Sequence, residues 1–92
     1  MTTIQDRVEA QRGTVRVLLR LISEGEISSI GEDHWVIYDD TVPQGYRITD
    51  QVDGLIRRKL AKPEGYYSLH LTESGRAKLA EIDAYCAEKA AQ

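Results

Sequence analysis

The chain has 92 residues, 41% of them hydrophobic and 29% charged, with a formal net charge of -3 and one cysteine. That is enough chain for one modest core, and the balance excludes the disordered, fibrous and disulfide-stapled classes. No apolar run approaches the roughly 18 residues needed to cross a bilayer, and Met-Thr-Thr-Ile-Gln-Asp-Arg is not a secretory signal, so a cytoplasmic protein with no membrane association is expected.

The first element expected is a helix over residues 4–22, in which Ile4, Val8, Val15, Leu18, Leu19 and Ile22 recur at helical spacing. Gly13-Thr14 is a place for it to pause or restart, and Glu24-Gly25 is a natural stop. Arg12, Arg16 and Arg20 fall every four residues on one side of it. Like charges so spaced repel weakly along their own helix, and they read either as a solvated face or as a ridge that contacts phosphate.

Residues 21–46 carry Glu24, Glu26, Glu32, Asp33, Asp39 and Asp40 and no lysine or arginine, a block that repels phosphate. Within it the pattern changes to alternation, with His34, Val36 and Tyr38 on one face and Trp35 and Ile37 on the other. A strand is expected at about 35–38. Asp39-Asp40 and Val42-Pro43-Gln44-Gly45 supply turn chemistry, and Gly45-Tyr46-Arg47-Ile48 is a candidate short return strand.

Thr49 is placed to cap a helix expected over about 50–61, with Asp50 at its positive end. Val52, Leu55, Ile56 and Leu60 project to one side, Asp50, Gly54, Arg57, Arg58 and Ala61 toward the other, and Asp53 is in reach of Arg57. Lys62-Pro63-Glu64-Gly65 stops that helix and turns the chain, after which Tyr67, Leu69 and Leu71 alternate inward. Thr72 caps a last helix, over 72–91. It bears one stripe of Leu79, Ile82 and Cys86 and a second of Ala77, Ala80, Ala84, Ala87 and Ala91. Two stripes imply two partners, and small residues permit close helix approach, so homodimerisation through the alanines is expected.

No Ser-His-Asp or Cys-His arrangement, carboxylate pair with a base or phosphate-cradling glycine loop is present, so no enzyme and no cofactor are expected. His34 and His70 are single residues on separate segments, and Cys86 lacks the spacing of a metal ligand.

The run Val52, Leu55, Ile56, Arg57, Arg58, Leu60, followed by Leu71-Thr72 and Gly75-Arg76 with Leu79, resembles the winged helix-turn-helix superfamily, especially the MarR-like and PadR-like bacterial regulators. The likeness covers about a third of the chain. It implies an α+β winged helix over residues 1–92, mostly helical, with a short hairpin wing and an additional strand between the first helix and the recognition helix. In this resemblance 50–61 is the recognition helix, the following hairpin is the wing, and Lys59 stands where the family ends the helix with glycine. A left-handed Lys59 costs about 1 kcal/mol.

The function so implied is that of a small dimeric DNA-binding transcription regulator. Arg57 and Arg58 are expected near the groove, Arg47 and Lys62 on phosphates, Thr49 and Gln51 near base edges, and Tyr66 on the backbone. The alternative is a protein-binding module on the same scaffold, whose acidic segment 26–46, with Trp35 or Tyr38 exposed, docks a basic partner and leaves DNA untouched.

Overall fold

The computed structural model describes residues 2–31, 34–39 and 42–90, with the side chains of 38, 39 and 42–44 outside that description. The N-terminal helical region is two helices, α1 (Ile4–Gln11) and α2 (Val15–Ser23). A capping box opens α1: Thr3 Oγ1 accepts from the Asp6 amide at 3.0 Å, while the Asp6 carboxylate accepts from the Thr3 amide. The break falls at Gly13, whose φ is +85°. Leu18, Leu19, Leu21 and Ile22 bury one face of α2. On α1 the pattern misleads: Ile4 and Val8 are exposed, and the residue in the core is Ala10.

Where a strand at 35–38 and a candidate return strand at 45–48 were expected before the third helix, the chain builds three strands: β1 (Ile27–Ser29), β2 (Trp35–Asp39) and β3 (Val42–Arg47). With β4 (Ala61–Glu64) and β5 (Ser68–Leu71) they form one antiparallel sheet in the order β3-β2-β1-β5-β4. The chain is therefore α+β, with a larger sheet than the periodicity implied. A strand starts at Val42, so the turn expected at 42–45 is not there; the expected Asp39-Asp40 turn and Ala91 lie outside the described residues. Gly45 sits inside β3 with φ +68°, and a Cβ there would lie 2.9 Å from the Ile37 carbonyl oxygen and 3.1 Å from the Val36 side chain. Both edge strands carry a proline, Pro43 and Pro63, which removes a donor from the open edge and discourages pairing with another chain.

Register assigns the faces. Ile27 opposes Ile37, Ala61 opposes Leu71 and Pro63 opposes Leu69, so Ile27, Trp35, Ile37, Ala61, Leu69 and Leu71 share the core face. Leu18, Leu19, Leu21, Ile22, Val52 and Leu55 from the helices complete one apolar cluster. The opposite face holds a transverse row of Arg47, Val36, Ser28, Ser68 and Glu64, each opposing the next. The strand face carrying Tyr67 begins one residue too early in the periodic reading: Leu69 and Leu71 are buried, whereas Tyr67 is in the turn and exposed.

Helix α3 (Thr49–Arg57) ends four residues before the expected boundary. The Lys59 amide donates to the Ile56 carbonyl and the Leu60 amide to the Leu55 carbonyl, both at 3.0 Å, with Lys59 at φ +62°. That is a Schellman ending, and it drops Leu60 back onto the core beside Leu55, which starts β4 at Ala61. Thr49 is not the cap. Its hydroxyl accepts from the Trp35 amide at 3.1 Å, and the cap position is the buried Ile48, which has no capping side chain.

Thr72 does cap α4 (Glu73–Ala90): its Oγ1 accepts from the Gly75 amide at 3.0 Å and donates to the Lys59 carbonyl at 2.6 Å. Gly75 lies so close to the end of α3 that a Cβ would sit 1.9 Å from the Leu60 carbonyl oxygen. The start of α4 thus clamps the residues that end α3. Lower on α4, Leu79 and Ile82 pack against the core.

Candidate nucleic-acid interface

The solvent face of α3 is built by elimination. Val52 and Leu55 point into the core, which turns Asp50, Gly54, Arg57 and Arg58 outward at helical spacing. Gly54 stands in the middle of this face with nothing within 4 Å of the position a Cβ would take. At the C-terminal end Arg57, Arg58 and Lys59 are all exposed. None of the three, nor Arg47, forms an ion pair among the described residues, and Asp53 does not reach Arg57.

The other arginine series is differently placed. Arg12 pairs with Glu9 at 3.7 Å, Arg16 with Asp83 of α4 at 2.8 Å, and Arg20 with Asp6 of α1 and with Glu24 at 3.9 Å. These contacts tie α2 to its neighbours. Partial burial alone pushes the Asp6 carboxyl up, but hydrogen bonds from Arg20 and the Thr3 amide, with the arginine's charge, outweigh it and leave Asp6 below its ordinary value. The hydrogen bond that Arg16 Nε donates to the Asp83 carboxylate, with charge contributions from Cys86 and Asp83, raises Arg16.

The predicted contact residues do not all come together. Arg57 and Arg58 close α3, and Lys62 is the second residue of β4, the first strand of the β4–β5 hairpin. Lys62 is 3.3 Å from Glu64, whose other oxygen is 3.6 Å from His70 Nε2. Arg47 lies on β3, the opposite edge of the sheet, so four strand spacings of about 4.8 Å, roughly 19 Å, separate it from β4. There it joins His34, Thr49, Asp50 and Gln51 around an open concavity of about 410 Å³ at the start of α3. His34 Nδ1 is buried beside it without a hydrogen-bond partner. Gln51 Nε2 donates to the Gln11 carbonyl at 2.6 Å, so this side chain fastens α3 to the end of α1. Thr49 is likewise engaged with Trp35.

Tyr66 is 88% exposed at the hairpin turn, with Tyr67 beside it at 66%. Two features of this surface differ from the sequence expectation: Lys59, expected where the helix ends, is also an exposed cation, and Tyr67, expected to alternate inward, is exposed on the Gly65-Tyr66-Tyr67 turn. Trp35 is 4% exposed and belongs to the core, so it is not a docking residue; the Tyr38 side chain lies outside the described residues.

On α4, Ala77, Ala80, Ala84 and Ala87 are all exposed, and Leu79, Ile82 and Cys86 are half-buried. Among the described residues no helix is long and apolar enough to cross a membrane, and no group of three or more His, Cys, Asp or Glu side chains is placed to hold a metal ion. No protein-family model, curated protein or solved structure matches the chain.

Proposed function

We propose that this is a winged-helix DNA-binding regulator that grips the phosphate backbone with the C-terminal end of α3 and the base of the β4–β5 hairpin. The observation that carries the reading is the row of exposed, unpaired cations at Arg57, Arg58 and Lys59 next to a hairpin, in a chain that neutralises its other arginine series. Unpaired surface arginines exchange condensed counterions for phosphate without first breaking an internal ion pair. The order of helix, hairpin and capped helix supports the winged-helix assignment, with α3 as recognition helix and the hairpin as wing. The segment β2–β3 then stands where the supporting helix of such folds is found.

In this reading Arg57 and Arg58 carry the main contacts and Lys62 follows along the same backbone. Arg47 reaches a phosphate on the far side of α3, beside the concavity. Thr49 and Gln51 act chiefly by holding the start of α3, since both side chains are already bonded. A second copy of the chain packs on the alanine stripe of α4. That pairing is tested by sedimentation of Ala80→Glu/Ala84→Glu, which leaves a monomer.

The direct test is anisotropy of labelled duplex fragments flanking the protein's own gene, read at two salt concentrations. The reading expects tight, salt-sensitive binding that Arg57→Ala/Arg58→Ala weakens on the order of 10- to 100-fold. Equal, weak binding by both proteins overturns it.

A further inference from the structure

Among the described residues the exposed large hydrophobic side chains are Ile4 and Val8 on α1, Tyr85 on α4, and Ile30, Tyr66 and Tyr67. Tyr66 and Tyr67 are neighbours on the β4–β5 turn, and the Ser29 amide donates to the Tyr67 carbonyl at 3.0 Å, which extends the Ser28–Ser68 register by one residue and ties that turn to the end of β1. The result is an aromatic tip at one end of the sheet, carried by a hairpin paired in register from Ala61–Leu71 to Glu64–Ser68. The rings sit on the turn that this register closes, and the paired strands on either side fix where that turn stands.

We propose that this tip stacks on exposed nucleobases, so that the protein favours DNA with an unpaired step over fully paired duplex; the inference rests on the DNA-binding reading above. Three observations bear on the occupant. The ring centroids of Tyr66 and Tyr67 are 6.3 Å apart with their planes tilted by 54°, so the rings do not cover each other's faces as an offset parallel stack does. Glu64, the hairpin's carboxylate, lies between Lys62 and His70, so its charge is compensated beside the tip rather than left to repel phosphate.

The third observation is the cation row leading to the tip. Arg57, Arg58 and Lys59 precede the tyrosines along the chain, with Lys62 held by Glu64 between them, and the four residues of β4 span about 13 Å. That is a few nucleotide steps. A strand whose phosphates follow those cations lays its bases on the rings, the combination of charged track and stacking platform by which single-stranded nucleic acid is held. A wing with an aromatic tip and no arginine is suited to bases that are already unstacked, not to reading the minor groove of an intact duplex by charge.

The experiment compares a duplex with the same duplex carrying a short central bubble, for wild type, Tyr66→Ala/Tyr67→Ala, Tyr66→Phe/Tyr67→Phe and Arg57→Ala/Arg58→Ala. Circular dichroism melts confirm that each variant is folded. Wild type is expected to bind the bubble about tenfold or more tighter, as stacking of one or two bases implies. The alanine pair should abolish that preference, lowering affinity for the bubble far more than for the duplex at an unchanged salt slope, and the phenylalanine pair should keep it. The arginine variant should weaken both DNAs alike. Equal affinity of wild type for the two DNAs, or an undiminished preference in the alanine pair, overturns the stacking inference while the DNA-binding reading stands on the arginine variant. No binding to either DNA overturns both. A protein partner lost by the alanine pair, with the two DNAs still equal, assigns the tip to protein and overturns the inference.

Discussion

Arg12, Arg16 and Arg20 on one side and Arg57 and Arg58 on the other are the same residue type on amphipathic helices, yet the fold treats them oppositely. In the first series Arg16 and Arg20 repel each other along α2 and Arg12 closes α1; the fold answers each with a carboxylate, Glu9 of α1 for Arg12 and, from other helices, Asp83 for Arg16 and Asp6 for Arg20. The second has acidic neighbours on its own helix, Asp50 and Asp53, and pairs with neither. The difference teaches that a basic patch is defined by which charges remain uncompensated after folding. By that measure the candidate interface is at the end of α3 and not along the N-terminal helices.

The most disruptive way to break the comparison is to remove its support. Gly75→Ala forces a methyl group into the Leu60 carbonyl, separates α4 from the end of α3, and is expected to cost on the order of 3 kcal/mol in urea unfolding, with loss of any DNA binding. A sharper test separates the two arginine sets: Arg57→Ala/Arg58→Ala should lower DNA affinity on the order of 10- to 100-fold at unchanged stability. Arg16→Ala, which removes the tie to Asp83, should leave affinity unchanged.

The compensated set has its own signature in pH. Because the folded Asp6 carboxyl titrates below its ordinary 3.8, its contribution is fully present above the unfolded value and is lost as pH falls through the lower folded value. Asp6→Asn should therefore flatten the acid limb of the stability profile below about pH 4 and leave the neutral limb parallel to wild type.

The smallest effects come from two positions on α3. Lys59→Gly relieves a left-handed residue and should stabilise by about 1 kcal/mol while lowering DNA affinity severalfold. Gly54→Ala should stabilise by about 1 kcal/mol on an open helix face. If α3 lies against DNA, the same methyl group weakens binding; a stabilised protein with full affinity would move the contact away from the middle of α3.

Much of the C-terminal half was legible because its signals are local. The apolar positions of α3 and the Thr72 cap each act within a few residues, and the structure keeps them; the turn expected over 62–65 instead falls at Gly65-Tyr66-Tyr67, because Lys62, Pro63 and Glu64 belong to β4. Ile27-Ser28-Ser29 was not legible as a strand: three residues with two serines carry no alternation, and β1 exists because β2 and β5 pair on either side of it. The end of α3 was misplaced because Ala61 fits a helical pattern, whereas burial of Leu60 favours a left-handed Lys59 and a strand. Within the site, helical spacing correctly exposes Arg57 and Arg58. The state of the N-terminal arginines was hidden, since Asp6 is 14 residues from Arg20 and Asp83 is 67 from Arg16. The partners of Thr49 and Gln51, the Trp35 amide and the Gln11 carbonyl, were hidden for the same reason, lying 14 and 40 residues away.

The most direct test of the division between compensated and free arginines is the slope of log affinity against log salt for duplex DNA, measured for wild type, Arg16→Ala and Arg57→Ala/Arg58→Ala. The account predicts a slope reduced by about two for the α3 double variant and unchanged for Arg16→Ala. Identical slopes for all three proteins, or a reduction confined to Arg16→Ala, would contradict it.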